Sequence, residues 1–161
     1  TSHTNMDKWT KSEETLRPDP RFGSKAVSKF INCLMERGKK STAQRVFYGA
    51  LDIVKEKSGG QDPLQVFETA LNNVKPNLEV RSKRVGGATY QVPMEVPKRR
   101  QMALGIRWII DSARAKKGRP MHKRLAEEFL SAFKNEGEAV KKRENVHKMA
   151  DANRAFAHYA W

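Results

Sequence analysis

The sequence predicts a mainly α fold: a single domain of about six helices, with one β-hairpin protruding between the third and fourth. Three observations predict it. Apolar residues recur at helical spacing over most of the chain. One segment, about 78–93, switches to strand alternation around Gly86-Gly87, the dipeptide that best supplies the positive φ angles of a tight hairpin turn. Glycine or proline stands at the boundaries, at Gly38, Pro63, Pro76, Gly118 and Gly137. A chain of 161 residues is long enough to bury roughly two-thirds of the surface it exposes when unfolded. Its single Cys33 can form neither an internal disulfide nor a zinc knuckle, so the apolar core must stabilise it.

Residues 1–15 show no clear pattern and are expected to form a mobile N-terminal arm; residues 16–161 form the helical domain. After Pro18-Asp19-Pro20 the first helix uses Ala26, Val27, Phe30, Ile31 and Leu34, with Cys33 read as a small packing residue between the last two. Ser41 with Gln44 three residues on reads as a capping box for the second helix, whose stripe is Ala43, Val46, Phe47, Ala50, Leu51 and Val54. Asp62 followed by Pro63 reads as the N-cap and first turn of the third, which runs through Val66, Phe67, Ala70, Leu71 and Val74 until Pro76 stops it.

The hairpin strands are expected at Leu78 to Arg84 and Ala88 to Val92, with Leu78, Val80 and Ser82 on a packing face and Glu79, Arg81 and Lys83 on a face open to phosphate. A fourth helix begins near Pro97, carries Lys98, Arg99 and Arg100 in its first turn, and continues through Met102, Leu104, Ile106, Trp108, Ile109 and Ile110 to a break near Lys116-Lys117-Gly118. The fifth, Pro120 to about Asn135, uses Leu125, Phe129, Leu130 and Phe133. The sixth, from about Glu138, uses Val146, Met149, Ala150 and Phe156.

Lys plus Arg number 32 against 18 Asp plus Glu, a net charge of +14 with a sequence pI near 10.1. Such a charge opposes compaction unless anions neutralise it, and it points to a polyanionic partner. The cations cluster. Lys39-Lys40 and Lys98-Arg99-Arg100 fall at helix N-termini, where a cation opposes the helix dipole and acidic residues are the rule, so phosphate at those sites is the expected reason. Arg107 and Arg114 follow Arg100 at seven-residue steps on one helix face, beside Arg99, and Asp111 is the only counter-charge between Lys98 and Arg119. Tyr90 is a candidate for stacking on a base, while Trp108 beside Ile109 and Ile110 reads as core.

His3, His122, His147 and His158 have no metal-ligand spacing, and no phosphate loop, nucleophile elbow or paired carboxylate stands out. His147 and Asp151 share a helix face and read as a surface hydrogen bond. No catalytic residue, metal, cofactor or small-molecule substrate is expected, and the chain does not read as an enzyme. No apolar run is long enough for a membrane span, and the N-terminus has no signal core, so neither spanning nor secretion is expected.

The motifs RPDPRFGS (17–24), GKKSTA (38–43), VRSKRVGGATYQVP (80–93), ALGIRWII (103–110) and MADANRAFAHYAW (149–161) resemble, in order, small-subunit ribosomal protein seven in its bacterial and organellar form. The resemblance covers about residues 17–161. Residues 1–15 depart from it, because the family's arm is rich in Arg and Lys and this one is nearly neutral.

The resemblance implies a structural constituent of the ribosome, a primary small-subunit rRNA binder that nucleates assembly of the 3′ major, or head, domain and lies at the tRNA exit site near mRNA. It implies small-subunit ribosomal proteins nine and eleven as neighbours. Carried over residue by residue, rRNA contact falls to Arg17, Arg21, Lys25, Lys39, Lys40, Arg81, Lys83, Arg84, Lys98, Arg99, Arg100, Arg107 and Arg114. The exit-site role, toward tRNA and mRNA, falls to Arg84, Val85, Gly86, Gly87, Lys141, Lys142, Arg143 and Arg154. The bacterial cytoplasm is the expected compartment, an organellar ribosome the alternative. An extra-ribosomal RNA- or mRNA-binding translational regulator stands as the rival function, and an RNA-modifying enzyme as a more distant one.

Overall fold

The computed structural model describes residues 15–161, so the expected arm lies almost wholly outside the described residues. Among the described residues, from Lys25 on, six helices and one hairpin follow in order: α1 (Lys25–Leu34), α2 (Lys40–Lys57), α3 (Pro63–Val74), β1 (Leu78–Val85), β2 (Ala88–Glu95), α4 (Lys98–Ala115), α5 (Met121–Phe133) and α6 (Glu138–Ala152), closed by a 3₁₀ turn, Arg154–Tyr159. The mainly α fold with a hairpin between the third and fourth helices is the one expected. The chain divides into two compact units, one ending at Arg45 and one running Val46–Trp161.

In the first unit Asp19 organises the approach to α1. Its buried carboxylate accepts hydrogen bonds from the backbone N–H groups of Arg21 (3.1 Å), Phe22 (2.8 Å) and Ser24 (2.8 Å), the side-chain mimic of a turn that aspartate favours. Ser24 then caps α1 by accepting from Val27 N–H. Val27, Phe30, Ile31 and Leu34 are buried, as their spacing requires. Cys33 is exposed, contrary to expectation, because position 33 falls off the stripe those four residues define. Helix α2 starts at Lys40, which puts Ser41 inside the first turn and not at the cap.

The second unit packs α3 to α6 and the rest of α2 around three phenylalanines. Phe47, Phe67 and Phe129 are fully buried, with edge-to-face ring centroids 5.3, 6.0 and 5.4 Å apart, the arrangement the ring quadrupole favours. Asp62 caps α3 ahead of Pro63 by accepting from Leu64 N–H at 3.1 Å. Two helix ends in this unit are capped at a distance. Asn73 Nδ2 donates to the Ala132 carbonyl at the end of α5 (2.9 Å), and an Arg124 guanidinium N–H donates to the Arg114 carbonyl (3.3 Å) and to that of Lys116, beyond the end of α4. Glu128, completely buried on α5, accepts the first-turn N–H of Ala139 on α6 at 3.1 Å and lies 3.2 Å from Lys116 Nζ. Gly137 makes this approach possible: its φ is +95°, and a Cβ there would sit 3.0 Å from Ser131 Cβ and 3.3 Å from the Glu128 carboxylate.

Helix α6 ends at Ala152, shorter than its apolar pattern suggested, and Phe156 belongs to the 3₁₀ turn. Met149, expected in the core, is 57% exposed.

Candidate nucleic-acid interface

The hairpin is a two-stranded antiparallel ribbon whose last pair is Val85 with Ala88, leaving a two-residue loop. Gly86 and Gly87 have φ of +58° and +84°, the left-handed pair that a primed turn needs to match strand twist. Its strands run to Val85 and Glu95, longer than expected. Register sets the faces: Glu79, Arg81, Lys83 and Val85 share one with Met94, Val92, Tyr90 and Ala88, and Ser82 and Arg84 share the other with Gln91 and Thr89.

Toward the tip the face expected to stay open is the one that packs, while nearer the base Val80 is half-buried opposite buried Pro93 on the face expected to pack and Arg81 stays exposed on the other. Tyr90 stacks on Tyr159 (centroids 5.1 Å, 24°) and leans on Phe156 (5.1 Å). Lys83 Nζ donates to the Tyr159 carbonyl at 2.6 Å and lies 4.9 Å above the Trp161 ring. Tyr90 is therefore occupied by the protein's own aromatic side chains and is not a free platform for a base. Ser82, Arg84, Thr89 and Gln91 form the exposed polar face.

At the hairpin base a single carboxylate links two clusters. Glu79 accepts a bidentate pair from Arg100 at 2.7 and 3.0 Å and lies 3.5 Å from Arg81. These hydrogen bonds, the largest effect, raise the Arg100 pKa; burial lowers it by less, and the charge of Glu79 adds the smallest contribution, upward. Arg100 is thus held in place, with 42% of its side chain still exposed. Lys98 and Arg99 are exposed beside it in a first turn that contains no acidic residue and has Pro97, which offers no capping side chain, before it. Arg107 and Arg114 are exposed further along α4, each seven-residue step advancing about 10 Å at 1.5 Å per residue.

In the first unit the cations lie on the Asp19 turn and at the start of α2. Arg17, Arg21, Lys25, Lys39 and Lys40 are all exposed. The Arg17 carbonyl accepts from Ser28 Oγ at 2.6 Å, and the Arg21 guanidinium lies 5.3 Å over the Phe22 ring, so the backbone that displays these charges is tied down.

Among the residues expected at the exit site, Arg84, Gly86 and Gly87 are exposed at the hairpin tip and Val85 is half-buried. Lys141 is exposed and pairs with Glu138 at 3.2 Å, Lys142 is half-buried, and Arg154 lies 3.9 Å from Asp151. Arg143 is half-buried, and its guanidinium donates to the Asn73 carbonyl and to Asn135 Oδ1 (3.3 Å). His147 does not pair with Asp151. Its Nε2 accepts from the Asn77 backbone N–H at 3.0 Å, clipping α6 to the start of β1, and burial, followed by the Arg143 charge, lowers its pKa. Sequence reasoning missed the residues that share this corner, Asn72, Lys75 and Gln101; the Lys75-Pro76 stop and the basic first turn of α4 were the signals available.

Among the described residues no group of His, Cys, Asp and Glu could hold a metal ion, and no helix is long and apolar enough to cross a membrane. What these surfaces offer is fixed positive charge.

The family model described as ribosomal protein S7p/S5e matches residues 6–154. The chain belongs to the ribosomal protein S7 family. Similar curated proteins, each called small ribosomal subunit protein uS7, include that of Rhodopirellula baltica, 61% identical over 97% of this chain and 100% of the relative. Those of Thermotoga neapolitana, 60% identical over 91% and 94%, and of a Thermoanaerobacter species, 60% identical over 89% and 92%, are similar in the same way. This S7-family chain is accordingly a ribosomal protein, a structural constituent of the small subunit by family.

Proposed function

We propose that the chain is a primary rRNA-binding protein that nucleates folding of the 3′ major domain of small-subunit rRNA and, in the assembled head, lies at the tRNA exit site beside mRNA. The observation that carries this reading is the first turn of α4: Lys98, Arg99 and Arg100 in a turn with no acidic residue of its own and no side-chain cap, with Arg100 held by Glu79 of β1, continued by Arg107 and Arg114. Phosphates neutralise charges that otherwise oppose the helix dipole. Arg17, Arg21, Lys25, Lys39 and Lys40 of the first unit supply further phosphate contacts, and Arg81, pinned beside Arg100 by Glu79, extends the α4 cluster onto the hairpin. Because side chains do not reach base edges in the deep A-form major groove, specificity comes from the shape of an RNA junction and its unstacked bases.

The hairpin tip, Arg84 to Gly87, faces exit-site tRNA and mRNA in this reading, with Lys141, Lys142 and Arg154 as further candidates, and small-subunit proteins nine and eleven are neighbours. A bacterial cytoplasmic ribosome is the setting that the bacterial sources of the relatives support. The test is a nuclease footprint of the full chain on small-subunit rRNA. Protection confined to the 3′ major domain is expected; protection spread evenly over the RNA overturns the reading.

A further inference from the structure

We propose that the polar cavity at the base of the hairpin is a subsite for one backbone phosphate of RNA. The proposal rests on the RNA-binding reading above and adds a contact that the basic clusters do not include. The cavity, about 350 Å³, is contained in the second unit and opens where four elements meet. The end of α3 and the link to β1 contribute Asn72, Lys75 and Asn77, the first turn of α4 contributes Lys98 and Gln101, and α6 contributes Arg143 and His147. Every lining residue is polar and none is a carboxylate.

Three permanent cations around one hole repel each other, and in a partly desolvated site the repulsion is stronger than at an open surface. The fold nevertheless places all three there. Arg143 is held by the Asn73 carbonyl and Asn135 Oδ1. The Lys75 stem lies against α4, where a Cβ added at Gly105 would come 3.4 Å from Lys75 Cγ. Lys98 opens α4, whose uncapped N–H groups add the positive end of the helix dipole. Because His147 Nε2 accepts from Asn77, the ring proton sits on Nδ1, a further donor. The lowered pKa of His147, due first to burial and then to Arg143, agrees with a site that already carries surplus positive charge. An anion is the partner that relieves it.

A phosphate within a polymer fits better than a free ion, because Lys98 belongs both to this cavity and to the basic first turn of α4. A chain that places one phosphate in the cavity carries its neighbours onto that turn.

The test uses the full chain with isotope-labelled histidine. An unstructured oligoribonucleotide shifts the His147 ring signals, the shift is lost in Lys75→Gln and restored in Lys75→Arg, and inorganic phosphate needs a concentration at least tenfold higher for the same effect. On 3′ major domain RNA, Lys75→Gln lowers affinity about tenfold and reduces the slope of log affinity against log salt by about 1. His147 signals unmoved by an oligoribonucleotide that binds elsewhere overturn the proposal. Inorganic phosphate binding as tightly as the oligonucleotide also overturns it and makes the cavity a free-anion site. If wild-type chain fails to bind the RNA, the RNA-binding reading itself falls; if wild type binds and Lys75→Gln matches it, only the cavity proposal falls.

Discussion

Replacing Tyr90 with alanine isolates the contact between the hairpin and the C-terminal turn. The wild-type ring makes two close aromatic contacts, to Phe156 and Tyr159, each with centroids 5.1 Å apart. Aromatic pairs of this kind contribute about 0.5–1.5 kcal/mol each, so the substitution removes about 2 kcal/mol of local docking energy. That corresponds to about a 30-fold increase in the population of the undocked turn. The loss is local because Tyr90 is remote in sequence and packing from the Phe47, Phe67 and Phe129 triad. Amide hydrogen exchange is the assay. The Phe156 and Ala160 amides, bonded to the Asn153 and Ala157 carbonyls, exchange about 30-fold faster in Tyr90→Ala, whereas amides of α3 and α5 keep wild-type protection. Unchanged exchange at Phe156, or loss spread evenly through α3 and α5, refutes the reasoning.

Glu128→Ala strands the buried Ala139 N–H and removes the partner of Lys116; urea unfolding shows a loss of about 3 kcal/mol, and Glu128→Gln, which keeps an acceptor, loses about half as much. An alanine variant within 0.5 kcal/mol of wild type contradicts that account, the threshold being about the spread of a neutral surface change. For His147 the folded pKa lies below the ordinary 6.5, so the unfolded chain takes up the proton first. Its contribution, set first by burial and then by the Arg143 charge, is complete above about pH 6.5 and fades as pH falls toward the folded pKa. The stability difference between wild type and His147→Gln therefore shrinks on acidification, and a difference that grows rules the mechanism out. Deleting Arg84 to Ala88 leaves rRNA affinity within about twofold while exit-site tRNA crosslinking is lost, since Lys98 to Arg107 offer more fixed charge than the tip; complete loss of rRNA binding makes the hairpin the anchor instead.

Features that depend on neighbours in sequence were legible. Asp62-Pro63 started a helix, Gly86-Gly87 closed a hairpin, and the phenylalanines at helical spacing met in the core, because backbone preference and periodicity act over a few residues. Features that join distant segments were not. Lys83 meets Tyr159 across 76 residues and His147 meets Asn77 across 70, and no local pattern encodes which face of a ribbon a terminal segment will cover. Strand alternation correctly divided β1 into two faces, but alternation alone could not say which was packed; the aromatic residues of AFAHYAW decided it. Of the candidate interface, the first turn of α4 was readable because a basic turn violates the dipole rule in sequence alone, whereas the Lys75 corner requires four elements to be assembled before its charges become neighbours.

The two glycines at the hairpin tip have nothing within 4 Å of the position a Cβ would occupy. Their constraint is therefore torsional and not steric, and it separates two requirements usually entangled at one site. Asparagine, which tolerates the left-handed region, is admissible at Gly87 as far as the chain's own folding is concerned. If Gly87→Asn folds as the wild type does yet fails in an assembled particle, the space left by a partner is what forbids it, and the substitution then gauges how closely another molecule approaches the ribbon.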